Sequence, residues 1–334
     1  MATMKDVALR AGVSTATVSR VLNGHTAPTP ETRDRVLAAV DELGYRPNAL
    51  ARSLRMHRTK TLGLVVSDLL NPFFAEIARA VEDEARAHGY CVVFGNADEN
   101  DEQQATYVRT LLDRQVDGLL VCPATDDGSW VAEVAQRGVP LVLLDRTVTG
   151  ATVPVVRADG SDALRELAGR LVAVGHRRIG VIAGPEDTST GRERLHAFAA
   201  ALAALGQPLA DDHVRHGDFR RASGAAAAAA LLALPEPPTV LVAMDNLMGL
   251  GALEELRRAN LSVPGDVGLA VYDDQLWFPL LDQPITVIAQ PTVEMGSAAV
   301  RSLLALISGE QPTDVRLTAR LIARGSCGEG VPRP

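Results

Sequence analysis

Three cysteines are all that the 334 residues contain. Cys91 and Cys122 lie in or beside apolar stretches and Cys327 near the C-terminal end, none at metal-ligand spacing. This excludes a disulfide framework and a zinc ribbon and implies reduced thiols in a cytoplasmic protein. No apolar run approaches the ~18 residues of a membrane span, and the N-terminus has no secretory apolar segment, so neither a membrane nor an exported protein is expected. The sequence also lacks a Gly-rich phosphate loop, a nucleophile elbow and paired catalytic carboxylates, so it offers no support for an enzyme and calls for no cofactor. His213-Val-Arg-His216 has a spacing seen in metal sites, but no third ligand stands out and the segment reads as a polar loop. Past Gly309 there is no leucine heptad, and the stretch Gly325 to Pro334 is rich in Gly and Pro, which argues against a tetramer through a terminal coiled coil.

Charge is unevenly spread. Residues 1 to 60 hold ten Lys/Arg against five Asp/Glu, about +5, while the whole chain is −8. The composition therefore reads as a basic head on an acidic body. Within the head, residues 3 to 24 read as two short helices joined by a turn. Thr3 and Asp6 have capping-box spacing, Val7, Ala8 and Ala11 form an apolar side, and Gly12 supplies the turn. Ser14 caps a second helix running to about Leu22. At 3.6 residues per turn Val18 and Val21 face inward, whereas Thr15, Ala16, Ser19 and Arg20 face outward. Those outer side chains are short enough to approach base edges in a major groove, with one long cation to reach guanine acceptors or a phosphate. A third helix follows, with Thr29 as cap and Pro30 in its first turn; Val36, Leu37, Val40 and Leu43 close the core, and Gly44 ends the helix. Asn48 then caps a short helix through Arg55 that needs packing or a bound partner to form.

Together, Thr3 to Gly24, the linker Tyr45 to Arg55, and Thr61-Leu-Gly-Leu-Val-Val-Ser-Asp-Leu-Leu-Asn-Pro-Phe-Phe-Ala-Glu76 resemble the lactose-repressor/galactose-repressor family of bacterial regulators, over essentially the full length. The first 76 residues are most similar to the purine-repressor-like branch. The resemblance implies that Thr15, Ala16 and Arg20, with Ser19 and Asn48 beside them, contact DNA, and that Leu54 is a wedge for the minor groove at the operator centre. Two such wedges from a homodimer would kink one base step, which is easiest at a pyrimidine–purine step, so a palindrome with a central CG is expected.

The body alternates apolar stretches with amphipathic helical ones. Leu62 to Val66, Cys91 to Phe94, Gly118 to Val121 and Leu141 to Leu144 read as parallel strands covered on both faces; a second series is Ile179 to Ala183, Val240 to Ala243, Val267 to Val271 and Ile285 to Ile288. The fold class expected is α/β: an all-α helix-turn-helix head (1–46), a hinge helix and linker (47–60), and a two-lobed doubly wound body (61–334). The resemblance adds that the chain crosses between lobes three times, as in periplasmic binding proteins, placing the N-lobe at about 61–158 and 290–317 and the C-lobe at about 159–289 and 318–330.

Ligands of such folds sit past the carboxyl ends of strands. Candidates there are Asp68 and Phe73 after the first strand, Asp145 and Arg146 after the fourth, Thr190 and Arg194 in the loop 188–194, Phe219, Asp273 and Gln290. Carboxylates beside an arginine and an aromatic plate suit a polyhydroxylated ring, and the resemblance matches Phe73, Asp145, Arg194, Phe219, Asp273 and Gln290 to effector contacts. Two departures count against a purine and complicate a plain aldopyranose: Thr188 stands where the purine-binding branch has a cation, and Met244 where many relatives carry a polar residue. The expectation is a DNA-binding transcriptional repressor, dimeric on its operator and controlled by a sugar or sugar derivative. Two other readings stay open, a ligand sensor acting through protein contacts and a sugar-processing enzyme on the same lobes.

Overall fold

A computed structural model describes residues 2–22, 28–45 and 59–328, which form two compact units divided between Thr59 and Lys60. In the first unit, helices α1 (Met4–Ala11), α2 (Thr15–Leu22) and α3 (Pro30–Glu42) enclose a small core. Local signals set each boundary. Thr3 Oγ1 accepts from Asp6 N–H while the Asp6 carboxylate accepts from Thr3 N–H, closing a capping box. Gly12 turns the chain at φ +66°, a left-handed conformation that would strain any side chain. Ser14 Oγ accepts from Thr17 N–H to start α2, and Thr29 does the same for Thr32 in α3. Val7, Val18 and Val36 are fully buried with Ala8, Ala11, Val21 and Ala39 around them. Leu37 departs from expectation: it is 40 % exposed, and the small Ala39, three residues after Val36 and on the same helix face, takes the inward position. Gly44, at φ +56°, lets Tyr45 N–H reach the Val40 carbonyl and close the end of α3.

The second unit holds two six-stranded sheets. The first has the order β11 (Val315–Thr318), β5 (Val155–Asp159), β4 (Leu141–Leu144), β3 (Gly118–Val121), β1 (Thr61–Val66), β2 (Cys91–Asn96), all parallel. The second runs β12 (Arg320–Ile322), β10 (Thr286–Ala289), β9 (Gly268–Tyr272), β8 (Val240–Ala243), β6 (Ile179–Ala183), β7 (Val214–His216), parallel except for β12. Helices cover both faces: α4 (Pro72–Ala87), α5 (Asp101–Asp113), α6 (Ser129–Gln136) and α11 (Thr292–Ser308) on the first sheet, α7 (Ser161–Val174), α8 (Ser189–Ala204), α9 (Arg221–Leu232) and α10 (Asn246–Arg258) on the second. The chain passes from one sheet to the other after β5, after β10 and between β11 and β12. The central strands β1, β3, β4, β6, β8 and β9 are buried on both faces, which is why they read as unbroken apolar runs.

Two local readings are corrected. The run Cys91 to Phe94 is an edge strand rather than a covered one, leaving Val93 and Phe94 exposed. His213 and His216 belong to a short 3₁₀ turn and the edge strand β7 rather than a loop. The Gly/Pro-rich end is anchored as far as Gly328: Ser326 Oγ donates to the Leu269 carbonyl, Thr286 N–H donates to Ser326 Oγ, and the buried His176 ring bonds the Cys327 carbonyl. Among the described residues no helix is long and apolar enough to cross a membrane.

Candidate functional site

The head offers one face built for close approach. Thr15, Ala16 and Arg20 on α2 are exposed and Ser19 is half-buried, opposite the buried Val18 and Val21. Every side chain of that face except Arg20 is short, so the helix axis can come near a groove floor. Arg20 makes no ion pair among the described residues. Asn48 and Leu54 lie outside the described residues.

In the body, the carboxyl ends of both sheets converge on one cleft. Asp145 and Arg146 follow β4, Asp273 follows β9, Phe219 follows the edge strand β7, and Gln290 follows β10. Thr190 and Arg194 come from the first two turns of α8, not from a loop: Thr188 Oγ1 accepts from Gly191 N–H and starts the helix there. Gly191 is required, since a Cβ would stand 2.0 Å from the Pro185 carbonyl oxygen. The backbone at the cleft is unusual. Asp145 (φ +65°), Phe219 (+62°) and Asp273 (+70°) all adopt the left-handed conformation without being glycine, and Asp98 and Glu99 do so at the rim. Aspartate tolerates this region and phenylalanine rarely does, so the surrounding packing must hold Phe219 there.

Seven of the nine expected contacts, namely Phe73, Asp145, Arg146, Thr190, Arg194, Phe219 and Asp273, line one narrow space of about 10 Å³, with Asn71, Phe74 and Asp245. The other two support it. Gln290 Nε2 donates to Asp273 Oδ1 at 2.6 Å. Asp68 accepts from Leu70 N–H and faces Arg220 across the cleft at 3.4 Å.

The electrostatics differ from those of an apolar cleft with a single cation. Arg194 is buried, its guanidinium 3.8 Å from the Tyr272 ring centre, and it donates to the Met244 carbonyl at 2.8 Å. Its nearest carboxylates, Asp145 at 4.0 Å and Asp273 at 3.9 Å, stand beyond hydrogen-bond distance. Burial works against the charge of Arg194, but Tyr272, Asp273, Asp145 and Asp245 more than offset it and raise its pKa. Arg146 is committed differently: it binds Glu99 through two bonds of 2.6 and 2.8 Å and lies 4.8 Å from the Phe219 ring centre, leaving its buried Nε without a hydrogen bond, 3.9 Å from Asp145 Oδ2. Burial pushes Asp273 up to about 6 and Asp245 up to about 7, so the cleft holds carboxyl groups that exchange protons near neutrality.

Sequence reasoning missed Glu99, Asp245 and Asn246. Asn246 Nδ2 donates to Asn71 Oδ1 at 2.8 Å and Asn71 Nδ2 reaches Asp245, joining the two lobes at the cleft floor. Asp245 also caps α10 through Met248 N–H, and Asn71 caps α4 through Phe73 N–H. Their cap signals were legible; their meeting was not.

Comparison with known proteins agrees with this layout. Residues 3–48 match the description "Bacterial regulatory proteins, lacI family", and residues 59–325 match "Periplasmic binding proteins and sugar binding domain of LacI family". The chain is 36% identical over 327 residues to the HTH-type transcriptional repressor CytR of Escherichia coli strain K12, covering 97% of this chain and 96% of that one. To PurR of Escherichia coli O139:H28 it is 37% identical over 334 residues, 99% and 98% of the two chains. Among solved structures, the Lac repressor dimer bound to operator and the anti-inducer ONPF matches with a TM-score of 0.87 at 30% identity, over 98% and 99% of the chains. The transcriptional regulator CelR in complex with cellobiose matches with a TM-score of 0.73 at 36% identity, over 98% and 100%. With relatives that are repressors rather than enzymes along its full length, this chain belongs to the LacI family of bacterial regulatory proteins and is a DNA-binding transcriptional repressor with an effector-binding body.

Proposed function

We propose that the protein represses transcription as a homodimer on a palindromic operator with a central CG, and that a carbohydrate bound between its lobes controls that grip. The observation that carries the effector reading is the cleft itself: Arg194 held between Asp145 and Asp273 without bonding either, with Phe219 and Phe73 beside them. Acceptors and a donor left just out of mutual reach around an aromatic plate match a ring with hydroxyls on its edge and C–H groups on its face. The CelR–cellobiose complex supports the same ligand class. Dimerisation is supported by a groove of about 690 Å³ along α4, lined by the exposed apolar side chains of Leu276 (85 % exposed) and Val293 (61 %).

In the mechanism, Thr15, Ala16, Ser19 and Arg20 read each half-site, Asn48 positions the linker, and Leu54 from each protomer opens the central step. The lobes are bridged at the floor by Asn71 with Asp245 and Asn246, and at the rim by Arg220 with Asp98. A sugar that favours one lobe arrangement shifts the population of the DNA-competent state by its difference in affinity for the two. The test is operator release followed by fluorescence anisotropy on full-length protein titrated with neutral sugars. A saturable shift in operator affinity supports the reading; operator binding indifferent to every sugar removes the carbohydrate from it.

A further inference from the structure

The space between Phe73 and Phe219 measures about 10 Å³, the room of a single water molecule, so no ring enters while the lobes stand this close. Its polar groups bind one another: Arg194 donates to the Met244 carbonyl, Arg146 grips Glu99, and Asn246 donates to Asn71. Whatever the cleft takes, the lobes must first part.

The contacts that resist parting differ along the cleft. Around the loops after β3 and β4, Asp126 N–H donates to the Asp187 carbonyl at 2.8 Å and Thr147 N–H donates to Ser189 Oγ at 3.0 Å. On the side of Phe219 the closure is ionic. Arg220, from the C-lobe, donates through Nη2 to both the carbonyl oxygen and Oδ1 of Asp98, each at 2.8 Å. Its Nη1 lies 3.4 Å from Oδ2 of Asp68, a buried carboxylate whose desolvated charge it offsets. Asp98 and Glu99 are consecutive left-handed residues that are not glycine, and so is Phe219 beside Arg220; the contact therefore joins two strained segments. Glu99 carries it inward, because its partner Arg146 lies against the Phe219 ring. Arg220, Asp98, Glu99, Arg146 and Phe219 thus form one closed circuit around the mouth.

We propose that Arg220, with Asp98 and Asp68, is a latch that holds the lobes shut, and that its opening is the step that admits an effector. The latch goes beyond the carbohydrate reading and does not depend on which effector enters. Its outer part faces water, with the Arg220 and Asp98 side chains 34 % and 50 % exposed, so salt weakens it.

The experiment is hydrogen exchange by mass spectrometry at residue resolution, on the full-length protein with no sugar added. The amides of Asp126 and Thr147 bond across the lobes and exchange when the lobes part; the amide of Asp145, bonded to Val156 within one sheet, is the reference. Arg220→Ala keeps the backbone bond of that residue to Asp218. It should speed exchange of both cross-lobe amides at least about tenfold and leave Asp145 unchanged. Asp98→Asn removes the charge but tolerates the left-handed backbone, and should act in the same direction. Raising NaCl from about 0.05 M to about 1 M should speed the same two amides in the parent and add little in Arg220→Ala. Unchanged exchange at Asp126 and Thr147 in Arg220→Ala overturns the latch. Equal acceleration of all three amides also overturns it, since that is a general loosening of the fold. So does a parent whose cross-lobe amides already exchange as fast as those of an unstructured peptide.

Discussion

The outer face of α2 and the cleft of the body recognise their partners by opposite means. On α2 the functional side chains are exposed, short and, but for Arg20, uncharged; they act by leaving room. In the cleft the functional side chains are buried and charged, and they act because their neighbours leave them incompletely satisfied. A surface of the first kind costs the fold little, since four buried valines and their alanines hold the head together whatever the outer face carries. A site of the second kind has an energetic cost, because desolvated carboxyls and a strained Phe219 must be stabilised by the sheets beneath them. The two regions should therefore be separable by mutation, and only the cleft should respond to pH.

The largest effect is expected from Arg194→Ala. It removes the cation between Asp145 and Asp273 and should shift the sugar dose–response by more than about a hundredfold, the loss typical of breaking a buried charged contact. Operator affinity without sugar should stay within about twofold, because the head is untouched; anisotropy on the same preparation reads both quantities, and a parallel loss of operator affinity would break the comparison. Arg20→Ala should do the reverse. Operator affinity falls about ten- to a hundredfold, the value of one base-edge contact, while sugar binding by calorimetry is unchanged.

A smaller and pH-dependent effect is expected from the double variant Asp245→Asn/Asp273→Asn. Both carboxyls hold protons more tightly in the folded protein than in the unfolded chain, at about 7 and about 6 against the ordinary aspartate value of 3.8. Folded stability is therefore lost as pH rises from about 4 through those values and levels off above about 7. Asparagine keeps the Asp245 cap on α10 but does not ionise, so the melting temperature of the variant should exceed that of the parent by a margin that widens from pH 4 to pH 7 and then stays constant. A margin independent of pH would mean that these carboxyls do not carry the proton. The smallest effect belongs to the head. Ser14→Ala deletes the cap on α2 and should cost about 1 kcal/mol, seen as faster amide exchange in Thr15 to Val18 with no change in the body.

What could be read in advance follows the same division. The head was legible because its signals are local: Thr3 with Asp6, Gly12, Ser14 and the inward valines each act within one turn. Leu37 was misplaced because the apolar stripe of α3 is thin, and Ala39 competes for the same core. In the body, Asp145 and Asp273 stood out because they directly follow buried strands and match effector contacts of the family, although an acid there can also cap the next helix; neither caps a helix here. Glu99 was not legible. It sits in the acidic run Asp98 to Glu102, which resembles a solvated helix start, and its partner Arg146 lies 47 residues away, just past β4. Asp245 and Asn71 are helix caps; that they also meet across the lobes depends on strand order and closure, neither of which leaves a periodic trace. Phe94 misled in the other direction, because an apolar run does not reveal whether its strand lies in the middle of a sheet or at its edge.

The central claim is that a DNA reader and a sugar-responsive cleft share one chain. Its most direct test is selection of random duplex DNA by the full-length protein at fixed moderate salt, with sequencing of what survives. The account predicts enrichment of a two-fold symmetric site with CG at its centre, and loss of that enrichment for Arg20→Ala. Recovery of unrelated duplexes with no shared symmetric site, by a protein that remains folded, would contradict it.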